Sequence, residues 1–164
     1  MADLKSDMPT LYLRDEELRK GIELLYFAYR DHNAVPDQIL AEYGFGRAHH
    51  RALHFIARRP GLSVSDLIGI LKITKQSLSR VLSTLVAEGY VQLETGTKDR
   101  RQRLLTLTDK GNELERKLAA VQRERIARAY REAGAEAVAG FWKVLLGLID
   151  AEHRAEIKAF VDKS

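Results

Sequence analysis

A mainly α-helical fold with one small β-hairpin is predicted for this 164-residue chain by three features. Long segments repeat apolar residues at the helical spacing, only three prolines interrupt them, and one stretch around residues 90–108 alternates as strands do. The length is that of one compact domain or two small interlocked ones. With 45% hydrophobic and 30% charged residues the chain is ordinary globular material, too apolar to stay disordered. No run approaches the roughly 18 apolar residues of a membrane helix. Met1 to Pro9 carries acids and no apolar core, so nothing points to secretion, and a cytoplasmic location without membrane contact is the expectation. The absence of cysteine excludes disulfides, thiolate metal sites, iron–sulfur clusters and cysteine nucleophiles together.

The first helix follows from Leu18, Ile22, Leu25 and Tyr29 on one face, with Asp15 as cap and Glu16 and Glu17 in its first turn. An interruption is expected at Asn33–Pro36, with Pro36 opening a further helical piece through Tyr43. Gly44 and Gly46 break the pattern. Ala48, Ala52, Phe55 and Ile56 mark the next helix, which stops at Arg59-Pro60-Gly61. Ser63, with Asp66 three residues on, reads as a capping box opening a short helix through Leu67, Ile70 and Leu71. Thr74 opens another, with Leu78, Val81, Leu82, Leu85 and Val86 inward and Gly89 closing it. Residues 90–94 and 103–108 alternate around the polar, basic tip 95–102. A long helix after Gly111 carries Leu114, Leu118, Val121 and Ile126 and yields near Gly134. One last helix is expected from Val138, Phe141, Trp142 and Leu145 through Ile149 to Ile157, Phe160 and Val161.

Helix, tight connection, helix, two-stranded ribbon is the order of a winged helix-turn-helix. The reading is therefore a winged lobe over residues 45–110, flanked by an N-terminal helical dimerisation arm, 1–44, and C-terminal dimerisation helices, 111–164. A small central lobe cannot bury the apolar stripes of the flanking helices, which need each other and a second copy of the chain.

Charge singles out the same middle. The net charge of +4 divides into −4 for residues 1–44, +7 for 45–110 and +1 for 111–164. No acid stands between Asp66 and Glu88, while Lys72, Lys75 and Arg80 do. A basic middle between near-neutral arms is the footprint of a nucleic-acid-binding module. In a helix-turn-helix the second helix enters the major groove N-terminus first. Thr74, Lys75, Gln76, Ser77, Ser79 and Arg80 suit that helix: Gln76 can pair with adenine, Lys75 or Arg80 with guanine or phosphate, and the hydroxyls with either. Ser63 and Ser65 of the preceding helix join the candidate contacts. At the hairpin tip Lys98, Arg100, Arg101 and Arg103 surround one acid, Asp99, which can hold Arg101 in a fixed direction for a narrow minor groove.

The run Leu62 to Val91, the Asp99-Arg100-Arg101 tip and the exit Leu104-Leu105-Thr106-Leu107-Thr108-Asp109-Lys110-Gly111 together resemble the MarR family of bacterial transcriptional regulators. The resemblance covers nearly the whole chain. His49-His50-Arg51 with Ile73-Thr74-Lys75-Gln76 is similar to that family's PetP-like, alphaproteobacterial branch. The family resemblance implies a homodimer with intertwined terminal helices on a pseudo-palindromic double-stranded DNA site. It also implies a repressor released by a small-molecule effector bound between lobe and dimer helices, for which Tyr26, Tyr29, Phe45 and His49 are the candidate lining. Thr84 replaces the basic residue often found there, implying one phosphate contact fewer. Lack of cysteine excludes the cysteine-based peroxide-sensing branch.

Two rivals come from other classes. His50 and His54, one helical turn apart, have the spacing of a metal pair, which would make a metal-responsive regulator. Arg51 between them opposes a cation, so no metal is assigned. The second rival is a helical dimer acting only through protein–protein contacts. No Gly-x-Gly-x-x-Gly, phosphate loop or Gly-x-Ser-x-Gly occurs, and pairs such as Glu16-Glu17 and Glu113-x-Glu115 lie on helix faces, so an enzyme is not expected and no cofactor is called for.

Overall fold

The structure is a computed structural model that describes residues 8–163, so the acidic stretch from Met1 to Asp7 lies outside the described residues. These form two compact units that divide between Gln122 and Arg123.

The first unit begins with a 3₁₀ turn, Met8–Leu13, and helices α1, Asp15–Glu42, and α2, Arg47–Arg58. Strand β1, Leu62–Ser63, leads into α3, Val64–Leu71, and α4, Lys75–Ala87. Strands β2, Val91–Thr95, and β3, Arg103–Leu107, form the hairpin, and α5, Asp109–Ala133, starts directly after it. The antiparallel sheet runs β1-β3-β2, with Leu105 facing Leu62 on one side and Leu93 on the other. Leu53 and Ile56 of α2, Leu67 of α3, Leu78 and Leu85 of α4, and Leu105 are sealed in one core, which Leu40 of α1 and Leu118 of α5 complete.

Three expectations for the first unit are corrected. The first helix is not interrupted at Asn33–Pro36; α1 continues through Pro36 to Glu42. A proline inside a helix forfeits one backbone bond and costs about 3 kcal/mol. Here Pro36 is fully buried between buried Asn33 and Leu40, so core packing offsets that cost, and the Asn33 side chain donates to the Tyr29 carbonyl at 2.7 Å. Asp15 is the first helical residue rather than the cap, which is Arg14. A third strand, β1, also joins the hairpin. Two residues show no periodicity, and only their pairing with Leu104 and Leu105 reveals them.

Local chemistry explains the middle of the unit. Ser63 Oγ accepts from the Asp66 N–H at 3.0 Å, and Thr74 Oγ1 accepts from the Ser77 N–H at 3.1 Å, so both helices start on side-chain caps. Between them Lys72 adopts φ +50°, left-handed backbone that makes the turn tight.

The second unit holds the end of α5, then α6, Ala135–Leu148, and α7, Ala151–Asp162. Where one last helix was expected there are two, because Ile149 takes extended and Asp150 non-helical backbone. Arg154 fastens the bend, donating to the carbonyls of Gly147 and Ile149 at 3.2 and 3.0 Å. No residue of α6 or α7 is buried.

Candidate nucleic-acid interface

Helix α4 separates its chemistry by face. Leu78, Val81, Leu82 and Leu85 are buried, whereas Lys75, Gln76, Ser79 and Arg80 are exposed. This outer face carries no acid, and it begins at a helix N-terminus, whose free N–H groups favour anions. Thr74 and Ser77, also exposed, face one another, with their hydroxyls 2.9 Å apart. They spend part of their hydrogen-bonding capacity on the cap.

The remaining candidates are distributed unevenly. Ser65 is exposed on α3, while Ser63 is buried with its hydroxyl on the α3 backbone. Thr84 is half-buried and its hydroxyl donates to the Arg80 carbonyl at 3.2 Å, tying the side chain back onto its own helix.

The tip of the wing is a built turn. The Gly96 N–H donates to the Gln102 carbonyl at 2.9 Å, and the Gln102 N–H to the Asp99 carbonyl at 3.1 Å. A Cβ on Gly96 would lie 2.5 Å from the Asp99 carbonyl oxygen, so this close approach requires glycine. Asp99 Oδ1 accepts from the Arg101 N–H at 3.0 Å and from Nε at 3.4 Å, yet the Arg101 side chain remains 93% exposed. The acid directs this guanidinium without covering it. Lys98, Arg100 and Arg103 are exposed around it.

The four aromatic and histidine candidates differ in exposure and in partners. Phe45 is buried, stacked on His49 at 4.8 Å and edge-on to Tyr90 at 5.2 Å. His49 Nδ1 accepts the Gly46 N–H at 3.0 Å at the start of α2, and burial lowers its pKa below the ordinary value. Tyr26 is 63% exposed beside Phe27, and the Tyr29 hydroxyl accepts from Arg51. A groove of about 460 Å³ lies elsewhere, in the second unit, lined by Tyr130, Arg131, Ala135, Val138, Ala139 and Trp142.

The sequence reading missed a polar junction between α1, α2 and α5. Arg47 makes a two-pronged contact with Asp37, His54 lies 3.9 Å from Glu115, and His32 shares a hydrogen bond with Gln122 at 3.1 Å. His50 is buried among these groups, and burial first, then the neighbouring His54, holds its pKa below the ordinary value. The charged residues are visible in sequence, but their pairing requires the helix packing. Among the described residues no three His, Asp or Glu side chains are grouped as a metal site, and no helix is long and apolar enough to cross a membrane.

A capped helix with a basic outer face, carried on a small sheet with an arginine-tipped wing, defines a winged-helix DNA-binding protein. The MarR family model matches residues 43–102. PetP of Rhodobacter capsulatus, an HTH-type transcriptional regulator, is 53% identical over 152 residues, covering 93% of this chain and 92% of that protein. The chain belongs to the MarR family of DNA-binding transcriptional regulators, which are not enzymes. Among solved structures, Streptococcus pneumoniae FabT in complex with DNA has the same fold, with a TM-score of 0.71 at 19% identity over 80% of this chain and 94% of that one. NadR in complex with 4-hydroxyphenylacetate shares it too, at a TM-score of 0.67 and 23% identity over 77% and 90%.

Proposed function

We propose that this regulator is a homodimeric, ligand-responsive repressor of the bacterial cytoplasm that binds a pseudo-palindromic operator. The observation that carries the reading is the acid-free, exposed outer face of α4. Lys75, Gln76, Ser79 and Arg80 would meet base edges and phosphates, with Thr74 and Ser77 at the helix start and Ser65 behind them, while buried Ser63 serves as the cap of α3. Lys98, Arg100, Arg101 and Arg103, with Asp99 aiming Arg101, would follow the backbone and minor groove.

In this division residues 45–110 read DNA while 1–44 and 111–164 pair two copies. Exposed apolar side chains support the pairing: Ile22 is 71% exposed on α1 and Trp142 58% on α6, the kind of surface that marks an interface. An effector fits the family, and NadR is solved with an aromatic acid. On this chain Tyr26, Tyr29, Phe45 and His49 are the candidates to meet it. Such a ligand weakens DNA binding only by its differential affinity for the two lobe spacings.

Selecting binding sites from a random duplex pool with purified protein tests the reading. An inverted repeat with half-sites about one helical turn apart is expected. A folded dimer that enriches no sequence would sink it.

A further inference from the structure

The exit from the wing does more than begin α5. Helix α4 closes on itself in the ordinary way, with the Gly89 N–H on the Val86 carbonyl and the Tyr90 N–H on the Leu85 carbonyl. Beyond the helix, the carbonyls of Glu88 and Gly89 would ordinarily turn to water, and that of Tyr90 stands opposite Thr108 at the next rung of the β2–β3 ladder. All three are taken by a single turn at the start of α5. Lys110 Nζ donates to the Glu88 carbonyl at 2.9 Å, Thr108 Oγ1 to the Gly89 carbonyl at 2.6 Å, and the Thr108 N–H to the Tyr90 carbonyl at 3.1 Å.

Two further contacts tighten the joint. The Lys110 ammonium sits 4.3 Å from the centre of the Tyr90 ring, a cation over an aromatic face. Thr108 Oγ1 also accepts the Gly111 N–H at 3.0 Å. The segments approach so closely that a Cβ on Gly111 would lie 2.1 Å from the Tyr90 carbonyl oxygen. Lys110 thus holds its ammonium against a protein carbonyl and an aromatic ring.

We propose that Thr108 and Lys110 are positioning residues for DNA binding: they lock the C-terminal end of α4 to the first turn of α5, so that α5, beside the core seat of Leu78, Val81, Leu82 and Leu85, sets the orientation of the DNA-reading helix. The proposal rests on the reading of α4 as that helix. Three bonds to three successive carbonyls, from a side chain, a second side chain and a backbone group, restrain both swivel and tilt at the joint.

The chain's lack of cysteine makes the test direct. Exposed Ser83 on α4 and Arg116 on α5 are replaced by cysteine and spin-labelled, and the labelled chain is mixed with excess unlabelled chain. Dipolar spectroscopy then reads the distance between α4 and α5. A narrow distribution is expected in the otherwise native chain, a broadened one in Lys110→Met and in Thr108→Val, and recovery in Lys110→Arg. DNA affinity, measured on the selected site or on random-sequence duplex, should fall about tenfold in the first two, as when only about a tenth of molecules hold the competent pose. A lower melting temperature with unchanged distances, or broadened distances with unchanged affinity, overturns the proposal. Native protein that binds no DNA would defeat the reading of α4 instead, and the distances would still decide whether the lock exists.

Discussion

In the winged lobe Leu53, Ile56, Leu67, Leu78, Leu85 and Leu105 are sealed from solvent, whereas α6 and α7 bury nothing, although they carry Phe141, Trp142, Val144, Leu148 and Val161. The apolar side chains serve different ends in the two regions. In the lobe they interdigitate around a sheet, so a single chain holds its own core. In α6 and α7 they line open surface, which a fold tolerates best where another surface covers it. Disturbing the first region should cost stability at every concentration, and disturbing the second should matter only as copies associate.

The strongest way to break this contrast is Leu105→Ala. Removing a fully buried side chain from the central strand should cost about 2–5 kcal/mol, read as a denaturation midpoint that falls equally at all protein concentrations. Trp142→Ala should weaken self-association by about 2 kcal/mol, roughly thirtyfold in dissociation constant, measured by sedimentation equilibrium. A midpoint loss as independent of concentration as that of Leu105→Ala would erase the distinction. Arg101→Ala should leave folding untouched and flatten the dependence of log affinity on log salt by about one unit. An unchanged slope would show that the wing's arginine meets no phosphate.

The smallest expected effect is a pH dependence confined to the lobe. Burial keeps the folded-state pKa of His50 below its ordinary value near 6.5, so the unfolded chain takes up a proton first. Stability should be fully present above about pH 6.5 and decline as pH falls through the window below it. Thermal melts of His50→Gln should show a shallower decline, and an equally steep one would mean the titration lies elsewhere.

Features held by neighbours in sequence were legible from sequence. Ser63 caps α3 and Thr74 caps α4 as their residue types and spacings predict, and the strands begin and end within a residue of the alternating stretches. The bond from Asp99 to Arg101 follows from a two-residue separation across a turn. Features decided by tertiary contact were not legible. Pro36 signals a break locally, and only its burial against the lobe core keeps α1 continuous. The bend at Ile149 carries neither glycine nor proline, though Asp150 followed by Glu152 was a helix-start signal. The different surroundings of buried Phe45 and exposed Tyr26 also depend on packing and cannot be read from residue type.

The frame that Gly96 and Gln102 build at the wing tip has a consequence for how such a regulator diversifies. Backbone groups and one missing Cβ hold the turn, while Thr97, Lys98 and Arg100 project outward and take no part in those frame bonds. Charge and shape at these three positions can drift through single substitutions while the tip keeps its geometry. The surface of the tip can thus change without rebuilding the wing, and Gly96 is the position whose loss would end that freedom.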